Sequence, residues 1–423
     1  MPGHSEPGVG IPPQTLPVRD RCRLTDEVLR HRLENMLLPA MRKSGLDMWL
    51  VICEEDNLDP VLPTLIPEDS WCPILQILVF FDPGGGDAVE RISLSMTDTH
   101  DLYDRPWQGR ETNEQWHLLR KIVDERDPRR IGLNTGPTQW AAGGLPHHLY
   151  LRLCDVLSPS HIARFESAEE LCVRWLAVLS PKQIRLYDTV IEAANPLIAE
   201  CYSPKALTPG GTTTADLHWH YRQRCADLGL QVSFTPSFYL TKGPAARQPA
   251  QTGIIEPGDL VRCDVGIRYL GLCSDHQRQL YVLPTPDAGI PVGLGRLLDQ
   301  AHHLQDIFMD EMREGLTGNE LLARILLRAG REGVAGARVY SHSLGVFLHE
   351  PGALIGLPWE QQRCEGRGEV RIMDNTAYTM ELSVEDHVPE WGTELRLGLE
   401  EDVIFTGGKC RVIGSRQEGF YTL

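Results

Sequence analysis

Two aspartates lie on either side of a turn-like segment in GDLVRCDVGIRYLGLCSDHQRQLYVL, residues 258–283. Asp264 follows an apolar, strand-like run, and Asp275 opens the next one. The YLGL between them is typical of a hairpin connection, and two antiparallel strands joined in this way bring both carboxylates to neighbouring positions. Adjacent carboxylates repel each other unless a cation or a proton lies between them. The segment therefore predicts a cation site or, with equal weight, two solvated aspartates at strand ends.

Two later segments place further metal-type ligands inside apolar sequence. His342 and His349 lie in SHSLGVFLHEPG, and Glu381 follows the strand-like run in NTAYTMELSVE. Taken singly, each histidine is more typical of a hydrogen-bonded core residue than of a ligand. An ionised carboxylate after an apolar run requires a partner, a metal or exposure to water.

A third segment, LGLEEDVIFTGG, carries three acids in a row before a β-branched run. Three successive acids are usually a solvated turn. In a strand, however, alternate side chains face opposite ways, so Glu400 and Asp402 share one face and Glu401 takes the other. Four oxygen ligands and one imidazole suit a pair of divalent cations such as Mn, Fe, Co or Zn. The candidate ligands are Asp264, Asp275, His342, Glu381 and Glu400.

The order and spacing of these motifs resemble the M24 metallopeptidases of the pita-bread fold. The pattern GDLV, D-x-G and CSD, then SH-x-x-G and H-E, then T-x-E, and last E-(D/E)-x-V is similar to the proline-specific branch, Xaa-Pro aminopeptidase and Xaa-Pro dipeptidase (prolidase). The similarity is close over residues 170–410. The first part of the chain resembles the smaller creatinase-type domain, with weaker motifs.

The resemblance implies that five residues bind two divalent metal ions, with Mn first and Co, Zn or Fe as alternatives: Asp264, Asp275, His342, Glu381 and Glu400. Asp275 and Glu400 would bridge the ions, Glu381 would also transfer protons, and His349 would act on the substrate as a catalytic and substrate-binding residue. A metal-bridging hydroxide would then remove the N-terminal residue from short, proline-containing peptides. The resemblance also implies a homodimer.

Two departures from the family pattern concern the substrate side. Proline-specific members usually carry a histidine in the loop before GDLV. Here that loop, TKGPAARQPAQTGIIEPGD, has none, and Arg247, Gln248 or Gln251 are candidates for its space. Members also often have an arginine two residues before the last glutamate. This chain has Gly398 there, and the nearest arginine, Arg396, is the second substrate-binding candidate.

Two other function classes remain open. One is a non-peptidase C–N bond hydrolase or a lyase that acts on a small, amide-like molecule with the same metal site, because a fold does not fix a function. The missing loop histidine favours this class. The other is a non-catalytic binding module, which is disfavoured because all five ligand positions are chemically competent. Substrate turnover by the metal-loaded protein discriminates among the three.

The elements that must position these residues follow an α+β order. Strand-like runs alternate with helical stretches over residues 21–166, which predicts a smaller α/β domain after a disordered N-terminal arm, residues 1–20. Residues 167–423 run from helices to strands, to helices and to strands again, which predicts the catalytic domain. Pro181 is expected to break the first helical stretch, with Ser180 as an N-cap.

Composition limits the partners and the compartment. The 423 residues are 42% hydrophobic and 23% charged, which is typical of a soluble globular protein. A net charge of −17 argues against a nucleic-acid partner and gives no attraction to an anionic membrane. Eleven scattered cysteines without a C-x-x-C pair predict reduced thiols. With no signal-like or membrane-length apolar run, we expect a cytoplasmic protein.

Overall fold

A five-stranded sheet forms the centre of the first unit of the chain. The computed structural model describes residues 15–107, 109, 111–244, 249–250 and 253–423. The strand order is β3-β2-β1-β4-β5, antiparallel among the first three strands and parallel from β1 to β5. The elements of this unit are α1 (Val18–Asn35), α2 (Leu37–Lys43), β1 (Met48–Glu54), β2 (Leu75–Phe81), β3 (Glu90–Ser93), α3 (Thr112–Arg126), β4 (Ile131–Leu133), α4 (His147–Val156), α5 (Pro159–Ile162), β5 (Phe165–Ser167) and α6 (Glu169–Ala177).

Both ends of this unit differ from the predicted boundaries. Helix α1 begins at Val18, so residues 18–20 are helical and not part of a disordered arm. Residues 1–14 of the predicted arm lie outside the described residues. Helix α6 packs Leu171 and Trp175 into the apolar core that α1, α2 and β1 share. We therefore propose that the first unit ends after residue 177 and not after residue 166.

A large antiparallel sheet forms the second unit. Its strand order is β14-β13-β15-β16-β12-β9-β7-β8, with β17 paired to β16 and β18 to β12. The elements are α7 (Pro181–Cys201), α8 (Thr214–Asp227), β6 (Gln231–Val232), β7 (Ser237–Thr241), β8 (Pro249–Ala250), β9 (Leu260–Val265), β10 (Ile267–Tyr269), β11 (Leu272–Cys273), β12 (His276–Tyr281), α9 (Val292–Glu311), α10 (Gly318–Arg331), β13 (Arg338–Leu344), β14 (Leu354–Ile355), β15 (Thr376–Val388), β16 (Thr393–Thr406), β17 (Lys409–Val412) and β18 (Tyr421–Thr422).

Local sequence explains two junctions of this unit. The Ser180 side chain accepts from the backbone N–H of Gln183, and the Gln183 side chain accepts in return from the Ser180 N–H. This capping box, with Pro181 in the first turn, starts α7 and confirms the predicted helix break. Between β10 and β11 the chain reverses at Leu270 and Gly271, both with positive φ. Such a two-residue turn fits the twist of a hairpin.

Helices cover the sheet through two buried apolar clusters. One joins α7 and α8 to β7, β9 and β10, and the other joins α9 and α10 to β15 and β16. The predicted α+β class is confirmed. All eleven cysteines are free thiols. Within the described ranges, no helix combines the length and the apolar character needed to cross a bilayer.

Candidate metal-binding active site

Four of the site residues lie in one register row across the large sheet. Asp264 on β9 lies opposite Gln277 on β12, and Gln277 lies opposite Glu400 on β16. Glu400 lies opposite Glu381 on β15, and Tyr340 on β13 extends the row beyond Glu381. Because directly opposed residues share a sheet face, these side chains point to the same side. We call this set the ligand row.

A second row lies two residues further along each strand. Asp402 on β16 is opposite Thr379 on β15, and the backbone N–H of His342 donates to the Thr379 hydroxyl at 3.3 Å. Asp275 directly precedes β12, and its N–H lies 3.2 Å from each carboxylate oxygen of Asp402. The sheet therefore brings residues that are 127 positions apart in sequence into contact.

Strand alternation keeps this acidic face apart from the helices. On β9, Val261 and Cys263 pack into the cluster beneath α7 and α8, whereas Asp264 faces the other way. On β16, Leu399 and Val403 pack into the cluster beneath α9 and α10, and Glu400 alternates with them. Burial of the apolar neighbours thus holds the acids on the opposite side of each strand.

Three of the predicted ligands meet closely enough to hold one ion. Asp275, His342 and Glu400 each offer a ligand atom within 4.8 Å of the others, and all three are buried. Asp275 Oδ1 and Glu400 Oε1 are buried without a hydrogen-bond partner among the described residues. An unpaired buried carboxylate oxygen costs free energy, which a bound cation would remove. The donor set of carboxylates and imidazole fits a divalent metal.

The other two predicted ligands flank this trio. Glu381 Oε1 accepts a hydrogen bond from Gln277 Nε2 at 2.8 Å, and the same nitrogen donates to Glu400 Oε2 at 2.9 Å. Asp264 lies on the other side of Gln277 in the ligand row. The charge of Asp264 contributes to the raised pKa values of Asp275, Glu381 and Glu400. All five predicted ligands therefore belong to one electrostatic cluster.

Burial sets the protonation of this cluster. It raises the pKa of Asp264 to about 6 and that of Glu381 to about 7. It also raises the pKa values of Asp275 and Glu400 well above their usual range, and neighbouring carboxylates add to the effect. By contrast, burial lowers the pKa of His342 to about 3, so its imidazole is neutral at pH 7. A neutral imidazole is the form that binds a metal.

His349, the second histidine of the SHSLGVFLHEPG segment, lies beside His342. Its ring centroid is 4.3 Å from that of His342, and its Nε2 is 3.4 Å from the Tyr340 hydroxyl. Its backbone carbonyl accepts a hydrogen bond from Trp140 Nε1 at 3.2 Å, and Trp140 also packs edge-on against Phe347. Because Trp140 belongs to the first unit, that unit reaches the edge of the site.

Arg396, which the sequence predicted to bind substrate, lies away from the trio in the structure. Arg396 is exposed, forms an ion pair with Glu385 at 2.6 Å and donates to the Ser383 hydroxyl at 3.0 Å. The structure does not bring it together with the metal-type ligands. The loop candidates Arg247, Gln248 and Gln251 lie outside the described residues.

Two other arginines lie near the site and were not predicted. Arg367 donates to the backbone carbonyl of Glu350, and its charge helps burial to lower the pKa of His349. Its Nε is buried without a partner within the described part of the chain. Arg262 stacks on the Tyr239 ring at 4.5 Å, and its charge lowers the pKa values of Asp264 and Glu381 against the larger effect of burial.

Comparisons with known proteins agree with this geometry. Residues 231–407 match the family model of metallopeptidase family M24. The fold is similar to X-Pro aminopeptidase from Thermotoga maritima MSB8 (TM-score 0.64, 15% identity, covering 91% of this chain and 100% of that one). It is also similar to Xaa-Pro dipeptidase from Bacillus anthracis (TM-score 0.61, 16% identity, covering 95% of this chain and 100% of that one). A third similar structure is prolidase from Pyrococcus furiosus (TM-score 0.57, 13% identity, covering 90% of this chain and 100% of that one). A search of curated proteins found no significant match.

These findings confirm the predicted resemblance to the M24 family and the pita-bread fold. The matched segment contains every predicted metal ligand, from Asp264 to Glu400. The class predicted from the sequence, a metallopeptidase-like hydrolase, is confirmed as well. At 13–16% identity, the structural likeness establishes the fold alone.

Proposed function

We propose that this chain, whose residues 231–407 match the M24 metallopeptidase family model, uses two divalent metal ions to remove the N-terminal residue from short, proline-containing peptides. The observation that carries the proposal is the buried trio of Asp275, His342 and Glu400, in which two carboxylate oxygens have no hydrogen-bond partner among the described residues. Asp264 and Glu381 extend the donor set on either side of Gln277.

The bound ions would polarise a carbonyl group and lower the pKa of water. The other steps fall to residues of the chain. Glu381 lies at the edge of the trio, where its carboxylate can accept a proton and return it to the leaving amine. His349 is close enough to His342 to donate a hydrogen bond to a substrate oxygen as negative charge develops there.

Arg367 is suited to orient the substrate. Its charge acts on both histidines and on Tyr340, and its Nε has no acceptor among the described residues. A guanidinium in this position can bind the carboxylate of a short peptide in a bidentate manner. Trp140, which hydrogen-bonds the His349 carbonyl, narrows access from the side of the first unit. Both features favour a small substrate.

A cleavage assay tests the proposal. Short peptides with and without proline at the second position are incubated with protein loaded with Mn, Co, Zn or Fe(II) and with metal-free protein, and products are identified by mass spectrometry. We expect metal-dependent release of the N-terminal residue. Glu381→Ala should abolish it, whereas the control Glu385→Ala, a half-buried acid on the same strand that pairs with Arg396, should not. No turnover by protein that holds metal would refute the peptidase proposal.

A second candidate is a non-peptidase C–N bond hydrolase or a lyase that acts on a small molecule with the same ligands. The rearranged substrate side favours it, because Gly398 replaces the usual arginine and Arg262 lies against the space above that glycine. In this case, the metal-loaded protein leaves all peptides intact but converts a small amide or a related compound. The same assay with a panel of small amides separates the two candidates.

Three finer properties complete the proposal. Mn is the first choice of metal because oxygen ligands predominate in the set. A reducing, cytoplasmic location is supported by the eleven free thiols. A homodimer is supported by the family resemblance alone. Metal analysis of purified protein, cell fractionation and sedimentation test these properties separately.

A further inference from the structure

Arg262 carries a guanidinium without a polar partner, among the described residues, at one end of the ligand row. It lies on β9 two residues before Asp264, and strand alternation places both side chains on the same face of the sheet. The residue is half-buried, and its guanidinium carbon lies 4.5 Å from the centroid of the Tyr239 ring. Within the described ranges, the guanidinium forms no hydrogen bond and no ion pair. Such unfilled N–H donors are suited to bind an anionic group.

The Arg262 side chain extends across the sheet toward the metal-type ligands. It lies opposite Gln279 on β12, and the Gln279 amide donates to the Gly398 carbonyl on β16. A Cβ atom placed on Gly398 would lie 2.9 Å from Arg262 Nη1 and 3.7 Å from Arg262 Cδ. The guanidinium thus crosses β12 and uses the room that the glycine leaves. Glu400 is two residues further along β16, about 7 Å away, so the donors of Arg262 border the space beside the ligand row.

A second guanidinium, that of Arg367, lies at the opposite end of the ligand row. Its charge acts on Tyr340, His342 and His349, and Tyr340 lies on β13, which three strands separate from β9. The proposed function assigns the C-terminal carboxylate of the peptide to Arg367. The peptide then runs across the ligand row toward Arg262, and the side chain of its N-terminal residue lies at the Arg262 end. This step rests on the proposed function.

We propose that Arg262 selects peptides whose N-terminal residue is acidic. The guanidinium binds the carboxylate of an N-terminal glutamate or aspartate through two parallel N–H···O bonds. Stacking on Tyr239 holds the guanidinium in one orientation, so less side-chain freedom is lost when the carboxylate binds. An N-terminal glutamine has the same shape as glutamate but lacks the charge and the second acceptor oxygen, so it binds more weakly. Arg262 is therefore a specificity-determining residue and takes no part in proton transfer.

Steady-state kinetics on two matched tripeptides tests this specificity. Metal-loaded protein is assayed on Glu-Pro-Ala and on Gln-Pro-Ala, whose first side chains have the same shape and differ in charge. We expect kcat/KM to be about tenfold or more higher for Glu-Pro-Ala, with most of the difference in KM. Arg262→Met keeps the length of the side chain and removes its charge, so it should abolish this preference. Arg338→Met is the matched control and should keep it, because Arg338 on β13 is exposed and donates to the Pro358 carbonyl.

Binding of the released amino acid gives a readout that does not depend on turnover. Calorimetry on metal-loaded protein should show that free glutamate binds about tenfold or more tightly than free glutamine, and Arg262→Met should remove this difference. Gly398→Ala, whose methyl group displaces Arg262 Nη1, should reduce the preference by a smaller factor. This second variant keeps the test independent of folding in Arg262→Met.

Equal kcat/KM values for the two tripeptides in wild-type protein would overturn the inference and leave the proposed function standing. An equal loss of activity on both tripeptides in Arg262→Met would also overturn it, because that result assigns Arg262 to the structure of the site and not to specificity. Failure of folded, metal-holding wild-type protein to cleave any peptide would overturn the proposed function itself.

Discussion

Glu381→Gln should reduce the number of protons that the metal-free protein releases when it binds Mn²⁺. Burial raises the pKa of Glu381 to about 7. With that pKa, about 0.9 of the Glu381 side chains carry a proton at pH 6, and about 0.1 at pH 8. A carboxylate must lose this proton to bind a metal, whereas glutamine has none to lose. Wild-type protein should therefore release about 0.9 proton more than the variant at pH 6, and about 0.1 more at pH 8.

Calorimetry in pairs of buffers with different ionisation enthalpies measures the number of protons released at each pH. His342 does not contribute, because burial lowers its pKa to about 3 and its imidazole is already neutral. The half-buried Glu385, which lies on the same strand and pairs with Arg396, supplies the control variant Glu385→Gln. Equal proton release by wild-type protein and Glu381→Gln at pH 6, or a difference that grows toward pH 8, would refute the reasoning.

Three further predictions concern neighbouring residues. Burial raises the pKa of Glu350 from 4.5 to about 7, so between these values the folded state holds a proton that the unfolded state has lost, and stability falls with rising pH by up to about 3 kcal/mol. Asp264 and Glu381, whose pKa values are also raised, contribute slopes of the same sign, so Glu350→Gln should reduce the total slope in urea unfolding of metal-free protein, and an unchanged slope would contradict the prediction. Buried Arg32 donates to the Val178 carbonyl and to Gln183 Oε1 at 2.8 Å, so Arg32→Met, which leaves these buried acceptors without this donor, should lower the free energy of unfolding by about 1–3 kcal/mol. The exposed-site control Arg23→Met should change it by less than about 0.5 kcal/mol, and equal urea midpoints for the two variants would refute this. Arg367→Ala should raise KM about tenfold or more for peptides with a free C-terminal carboxylate, while steady-state kinetics on C-terminally amidated peptides should show little change; equal effects on both would count against a carboxylate-binding role.

Strand alternation made part of the site predictable from the sequence. The rule that alternate residues face opposite ways separates Glu401 from Glu400, and the structure confirms it. The Glu401 carboxylate forms an ion pair with Arg278 at 2.7 Å on the other face of the sheet. The hairpin between Asp264 and Asp275 could also be predicted from the sequence, because YLGL supplies the glycine that a two-residue turn needs.

The substrate side could not be predicted in this way, because its contacts join distant parts of the sequence. Arg396 is the nearest arginine to Gly398 in sequence, but two residues along a strand correspond to about 7 Å. The arginine that borders the space above Gly398 is Arg262, two strands away in the sheet and 136 residues earlier in the chain. No local sequence pattern predicts this contact between Arg262 and Gly398. Arg367 lies in a 3-10 helix of only 4 residues, Gly366–Glu369, which is too short to show a periodicity in the sequence, so its approach to the histidines also depended on tertiary structure.

The ligand row depends on a register that must itself be held. A slip of one residue between β12 and β16 would turn either Gln277 or Glu400 to the opposite face. These two strands share a single paired position, Gln277 with Glu400, so the sheet ladder alone fixes the register weakly. The next residues along, Arg278 and Glu401, form their buried ion pair on the reverse face, and the Gln417 N–H donates to Glu401. A slip would leave both charges buried and unpaired, at a cost of several kcal/mol. The Arg278–Glu401 ion pair on one face of the sheet therefore fixes the register on which the metal ligands on the other face depend.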